Sequence, residues 1–326
     1  VPVAYIQSRT GITLTNHRLF PYAVLVAGVL ITATSSILIR LAQADGVPSL
    51  VIAGWRLTFA VLVLTPFALR RNGGEIRRLR RTDIYWGITA GVLLAVHLAA
   101  WIASLEYTSV ASSAALVTTN PLWVALAVRF VFGERLSRNT VLGLLVAFGG
   151  SLLITFSDGG VLTVQAGRLQ FIPQNLFAPV GKADTALFGD LLALSGAITV
   201  AGYLLVGRNL RRRLSNTAYV WLVYSAAMVA IVGAVLLSGY SMWGYGAIAY
   251  FWIFLLALGP QLMGHTAFNW ALAHLSATFV ALTVLGEPVG AAILAYFIFG
   301  ETFAPIQLAG FVMLLIGITL GVLGEG

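Results

Sequence analysis

Cysteine is absent from the 326-residue chain, which excludes both a disulfide frame and a thiolate metal centre. Charge is nearly as scarce: 9% of residues are Asp, Glu, Lys or Arg, against 59% hydrophobic, and the mean hydropathy is +0.93. An ordinary soluble domain carries about 25% charged residues, so a water-exposed helical protein is excluded. The four histidines, His17, His97, His265 and His274, contain no closely spaced pair, and the pattern calls for no metal ion. No G-x-x-x-x-G-K-[ST] segment occurs, which removes the phosphate loop of an ATPase. Nothing in the sequence marks a catalytic residue or asks for a cofactor. The net charge of +8 does not point to nucleic acid, because the arginines stand in short clusters between apolar runs and so mark membrane topology.

What remains is apolar sequence in units of the right length. Runs of about 20 residues cross a hydrocarbon core of roughly 30 Å as helices, and ten can be marked at 20–42, 49–69, 84–105, 109–132, 139–157, 186–207, 217–238, 247–273, 276–299 and 304–323. Residues 1–19 are too polar for a signal-peptide core, so the first run reads as a retained span. The clusters "RRNGGEIRRLRR" (70–81), "ERLSR" (134–138) and "RNLRRRLSN" (208–216) fall on one side if the spans alternate, while the opposite loops are nearly free of Lys and Arg. That side is expected to be the cytoplasm. The sequence thus predicts a multi-pass protein of the cell inner (plasma) membrane with both termini cytoplasmic. The outer connection 158–185 holds Asp158, Arg168, Lys182 and Asp184 with two prolines; it is expected to be a connector lying partly along the membrane surface.

The chain also repeats itself. "SVASSAALVTTNPLWVALAVRFVFGERLSRNTVLGLLVAFGG" aligns without a gap to "SATFVALTVLGEPVGAAILAYFIFGETFAPIQLAGFVMLLIG" at an offset of 167 residues, pairing Pro121 with Pro288, Glu134 with Glu301 and Gly143 with Gly310. The offset spans five predicted helices, an odd number, so the second copy is expected to be upside down relative to the first. Inverted repeats of this kind hold midplane sites in many secondary transporters. The expected architecture is an all-α membrane protein: ten transmembrane helices built as two inverted five-helix repeats around a central cavity. The repeats cover 20–157 (helices 1–5) and 186–323 (helices 6–10), joined by the extracytoplasmic connection 158–185.

These paired segments, "NPLWVAL…FGERL" and "GEPVGAAIL…FGETF", resemble the two EamA repeats of the drug/metabolite transporter superfamily. "WRLTFAVLVLTPFALRR" (55–71) is similar to that family's second helix and "GHTAFNWALAHLSAT" (264–278) to its eighth running into its ninth. The resemblance covers residues 22 to 323. It implies a ten-helix transporter with a cavity between the halves, whose relatives move amino acids, other small metabolites, sugars or nucleotide sugars. The connection at 158–185 is longer than the link usual in that family.

Polar side chains within a bilayer should face the bundle interior or a cavity. Gln261, His265 and Asn269 recur at helical spacing in the eighth span, just after Pro260. His97, Trp101 and Ser104 do so in the third, where Trp101 offers an aromatic wall. Either set can line a cavity or join helices by hydrogen bonds. Tyr203 in the sixth span and Trp55 in the second complete the substrate-binding candidates; Ser195, Thr199, Thr32, Ser35, Ser36 and Arg40 rank lower, since hydroxyls can bond back to their own helices. Arg56 lies inside the second span and needs a partner, either Glu287, Glu106 or an anionic group of the substrate. Glu287 itself stands between Gly286 and Pro288, and Asn120 holds the matching place before Pro121. Each proline removes a helix hydrogen bond, so Pro121, Pro288 and Pro260, with Asn120, read as hinges, and Glu287 reads as a coupling residue or as half of a buried ion pair with Arg56. Gly317 and Gly321 form a GxxxG that would serve a homodimer or close packing of the last helix.

The expected function is secondary transport: export of small amphipathic metabolites, amino acids first among them, by alternating access, with the lipid bilayer and a small-molecule substrate as partners. Uptake or exchange of another small metabolite (a sugar, a nucleoside, a drug-like compound) stays open beside it. An intramembrane enzyme using Glu287 with His265 or His97 and a channel are the readings from other classes.

Overall fold

The computed structural model describes the backbone of residues 16–107, 113, 116–117, 119–133, 135–158, 160–165, 168–173, 183–287, 289–290, 293–294, 297 and 305–324; side chains within these are described except at 16–18, 105, 151–152, 154–187, 190, 307 and 322. In chain order the elements are α1 (Asn16–Thr32), α2 (Ser35–Ala44), α3 (Ser49–Arg77), α4 (Arg81–Tyr107), α5 (Asn120–Phe130), α6 (Arg138–Asp158), β1 (Gly160–Gln165), β2 (Arg168–Pro173), α7 (Ala183–Arg211), α8 (Asn216–Ser238), α9 (Ala247–Leu256), a π-helical segment (Ala257–His265), α10 (Thr266–Ala271), α11 (Ala277–Val284) and α12 (Pro305–Leu323). Among the described residues six helices are long and apolar enough to cross a membrane: Leu19–Ala44, Ser49–Arg77, Arg81–Ser104, Leu191–Arg211, Asn216–Ser238 and Ala247–Ala271. They coincide with the first, second, third, sixth, seventh and eighth predicted spans. Each of the other four includes residues outside the description.

Helix ends follow the local chemistry. Ser215 caps α8 by accepting the Ala218 amide, and Gly239 ends that helix at φ 78°, a left-handed conformation that favours glycine. Ser276 caps α11 in the same way through the Phe279 amide. In water these are small gains; in hydrocarbon, where no solvent can satisfy a stray amide, they decide where a helix is able to start.

The 167-residue offset organises the packing. It maps α4 onto the rod formed by α9, the π-segment and α10, and maps α1 and α2 onto α7; α4 packs along α7, and the rod packs along α1 and α2. Of the remaining helices, α3 and α6 pack against their own counterparts α8 and α12, and α5 packs against α11. The α6–α12 pair shows why these helices meet so closely. A Cβ placed on Gly150 would meet the Gly310 carbonyl oxygen at 2.6 Å and the Leu314 nitrogen at 2.8 Å; one on Gly317 would meet the Gly143 carbonyl oxygen at 2.6 Å and the Ala147 nitrogen at 2.5 Å. The offset converts the first set of contacts into the second. Because Gly143 lies against Gly317 while Gly150 lies against Gly310, the two helices run antiparallel. The Gly317 and Gly321 face, a candidate for dimerisation on sequence, is therefore occupied within the chain: Gly143 packs against both glycines.

Between the helical halves, the connection contains more order than expected. β1 and β2 pair antiparallel, from Gly160 opposite Pro173 to Gln165 opposite Arg168. The signal was present in "GVLTVQ" and "RLQFIP", short runs rich in β-branched and aliphatic residues around "AG".

Candidate functional site

Arg56 sits in the second turn of α3 with no exposed surface. Its Nε donates to Gln261 Oε1 at 2.7 Å. Its two terminal nitrogens, Nη1 and Nη2, have no hydrogen-bond partner among the described residues, and neither does Gln261 Nε2. Each such buried donor costs about 1–3 kcal/mol left unmet. The carboxylates considered for it on sequence do not meet this need. Glu106 accepts the Ser49 backbone amide at 2.9 Å, one of the open donors at the start of α3. Glu287 lies within electrostatic reach of Arg56. The two form no ion pair; a bridge that does close, Arg213 to Asp83 at 3.0 Å, lies on the arginine-rich side.

Gln261 reaches Arg56 because the eighth span is not a continuous α-helix. Pro260 lies inside the π-segment. A proline has no amide to donate, so the regular ladder opens there, and single π turns within helices absorb such breaks. The Gln261 carbonyl accepts the Tyr224 hydroxyl of α8 at 3.1 Å, and that hydroxyl also lies 3.3 Å from Thr266 Oγ1. This wider turn divides the trio expected on one face. Gln261 joins Arg56, and Asn269 Oδ1 accepts the Tyr203 hydroxyl at 2.6 Å while the Asn269 carbonyl accepts Arg211 Nε at 2.9 Å. His265 stays between them, half-buried, with its ring 5.8 Å from that of Phe268.

From α4, His97 Nδ1 is 2.9 Å from the Gly196 carbonyl of α7, and its ring stacks on Trp101 with centroids 6.0 Å apart and planes at 14°. Arg56 influences His97 and His265 electrostatically, and the two histidines influence each other. Arg56, Gln261, His97, His265 and Glu287, carried on four different segments, thus come together. Trp55 points elsewhere. Its Nε1 donates to the Met242 carbonyl at 2.7 Å, and its ring packs edge-on against Trp243 at 4.8 Å and Tyr250 at 5.6 Å. These contacts tie α3 to the segment joining α8 and α9.

The two expected hinges lie at matching breaks. Pro121 stands in the first turn of α5, and the Asn120 amide donates to the Val117 carbonyl, 3.3 Å away, that the proline leaves unpaired. In the other half α11 ends at Val284 and a turn at Leu285 and Gly286 precedes Glu287; Pro288 lies outside the described residues. Tyr224 and Thr266 join the site without having been expected there, while the Thr32 hydroxyl bonds back to the Val29 carbonyl of its own helix at 3.0 Å. Tyr224 sits in "VWLVYSAAM", where one aromatic hydroxyl in an apolar span gives no periodic signal.

A helical, multi-pass membrane body with a buried polar cluster shared between its halves defines a membrane transporter class. The chain belongs to the EamA-like transporter family, whose model matches residues 19–156 and 187–323. It is 23% identical over 273 residues to the uncharacterized transporter YyaM of Bacillus subtilis, covering 82% of each chain. A riboflavin transporter of Rhizobium johnstonii is 34% identical over 115 residues, 34% of this chain and 37% of that one. A solved crystal structure superposes with a TM-score of 0.73 over 94% of this chain and 97% of its own, at 17% identity, a likeness of fold.

Proposed function

We propose that this protein is a secondary transporter that exports small amphipathic metabolites, amino acids first among them, across the cytoplasmic membrane by alternating access. One observation carries the reading: a fully buried arginine whose terminal donors find no partner among the described residues, gathered with Gln261, Glu287 and two histidines inside an apolar bundle. Ionisable groups at such depth are expensive and serve solute or ion pathways. Two related halves of opposite orientation are one common basis of alternating access; antiparallel α6 and α12, with glycine contacts that the 167-residue offset exchanges, support that arrangement. Ten helices, two repeats at 20–157 and 186–323, and cytoplasmic termini complete the proposed architecture.

A second reading draws on the partial similarity to a riboflavin transporter and on the stacked His97 and Trp101 rings, a surface suited to a flat heteroaromatic solute. Purified protein in liposomes, loaded on either side with labelled amino acids, nucleosides or riboflavin, tests both. The expected outcome is saturable flux of an amino acid, reduced by Trp101→Ala and by His265→Ala. Saturable flux of riboflavin alone would favour the second reading, and normal flux in both variants would remove these two side chains from the pathway.

A further inference from the structure

We propose that Arg56 and Gln261 form a carboxylate-binding subsite, and that Glu287 faces the ammonium of the same solute, so that the site selects zwitterions. The inference deepens the transporter reading and rests on it. Three donors support the first part. Arg56 Nη1, Arg56 Nη2 and Gln261 Nε2 are buried and lack partners among the described residues, while Arg56 Nε is already held at 2.7 Å by Gln261 Oε1. That one bond fixes both side chains. It orients the guanidinium plane and leaves a fork of N–H groups, the geometry that a planar carboxylate accepts through two parallel hydrogen bonds. Gln261 follows Pro260 in the π-segment, and the Tyr224 hydroxyl donates to its carbonyl at 3.1 Å.

The second part follows from a charge that is near yet not joined. Had Glu287 closed onto Arg56, each would neutralise the other and no ligand would be needed. Instead Glu287 stands between Gly286 and Gly290, which pack on Val29 and Ala33 beside the π-segment's Gly264 on Thr32, and it lies within electrostatic reach of the guanidinium without an ion pair. Glu106, the other acid considered for Arg56, is held by the Ser49 amide at 2.9 Å. Opposite charges held apart in a low-dielectric interior suit a solute that carries both charges a short distance apart, since each then replaces its lost hydration.

Ligand-induced shifts in melting temperature of the full chain in detergent test this, using L-leucine, L-phenylalanine and L-threonine, their primary amides and their N-acetyl derivatives. The expected result is stabilisation by at least one free amino acid, with its amide and its N-acetyl form binding at least about tenfold more weakly. Arg56→Lys, which keeps the charge but loses the fork, and Gln261→Glu, which keeps an acceptor for Nε but supplies a resident carboxylate, should each weaken the free amino acid by about tenfold or more. Glu287→Gln should remove the preference for the free amine over its N-acetyl form. If one variant fails to give a single species by size-exclusion chromatography, the others carry the test. Equal binding of acid and amide, equal binding of amine and N-acetyl form by the unaltered protein, unchanged affinity in the folded variants, or binding of none of the three amino acids would overturn the subsite. Saturable flux of a solute without a carboxylate would sink the subsite alone; absence of saturable flux for every solute in the liposome panel would sink the transporter reading.

Discussion

Single side chains in this protein are worth what their surroundings leave unsatisfied. Arg56 was legible in the sequence as a charge that needs a partner. Its actual contacts were not, because Gln261 becomes available only through a helix opened 205 residues away in the chain. Tyr224 is the quieter counterpart. Its hydroxyl serves the Gln261 carbonyl at 3.1 Å and lies 3.3 Å from Thr266 Oγ1, so Tyr224→Phe should strip that carbonyl of its closer hydroxyl donor and leave it Thr266 Oγ1 at 3.5 Å. A buried acceptor stripped of its partner costs about 1–3 kcal/mol, and thermal unfolding in detergent should show the variant melting at a lower temperature. An unchanged melting point would mean that another group takes up the carbonyl.

At the scale of elements, glycine placement sets which helices can touch. In lipid the chain gains little from moving apolar surface away from tails that are equally apolar, so close packing carries the association. α6 and α12 meet backbone to backbone at Gly150 and Gly317, where any side chain would strike a carbonyl oxygen at 2.6 Å. Gly150→Leu is expected to prevent accumulation of folded protein in membranes. Gly233, in α8, has nothing within 4 Å of the position a Cβ would take, and Gly233→Ala should accumulate normally; loss of both variants alike would point to expression and not to packing. The eighth span adds a second lesson. Its three polar residues, Gln261, His265 and Asn269, were visible at α-helical spacing, but Pro260 turns the middle of the span into a π-segment and sends the three to different partners. Proline announces a break without saying how the backbone will absorb it.

For the whole molecule, the absence of cysteine makes topology directly measurable. In the proposed orientation the arginine clusters at 70–81, 134–138 and 208–216 face the cytoplasm. Single cysteines at Ser241 and at Asp45 should then react with a membrane-impermeant maleimide in intact cells, and cysteines at Arg135 and at Arg212 only after the membrane is opened. The reverse pattern would invert the proposed orientation.

Sequence alone determined that this chain lives in a bilayer, that six of its apolar runs form helices of spanning length, and that it contains a 167-residue repeat. Those properties are written in composition and in linear spacing, because hydrocarbon thickness and the covalent rise of a helix impose them on any apolar chain. Only the tertiary structure decided that α6 and α12 cross antiparallel on exchanged glycines, that Glu106 caps α3, and that Arg56 keeps two nitrogens without partners among the described residues beside Gln261. Those outcomes depend on which helix face meets which, and in a medium where most apolar surfaces are equivalent, fit between distant segments selects the partner.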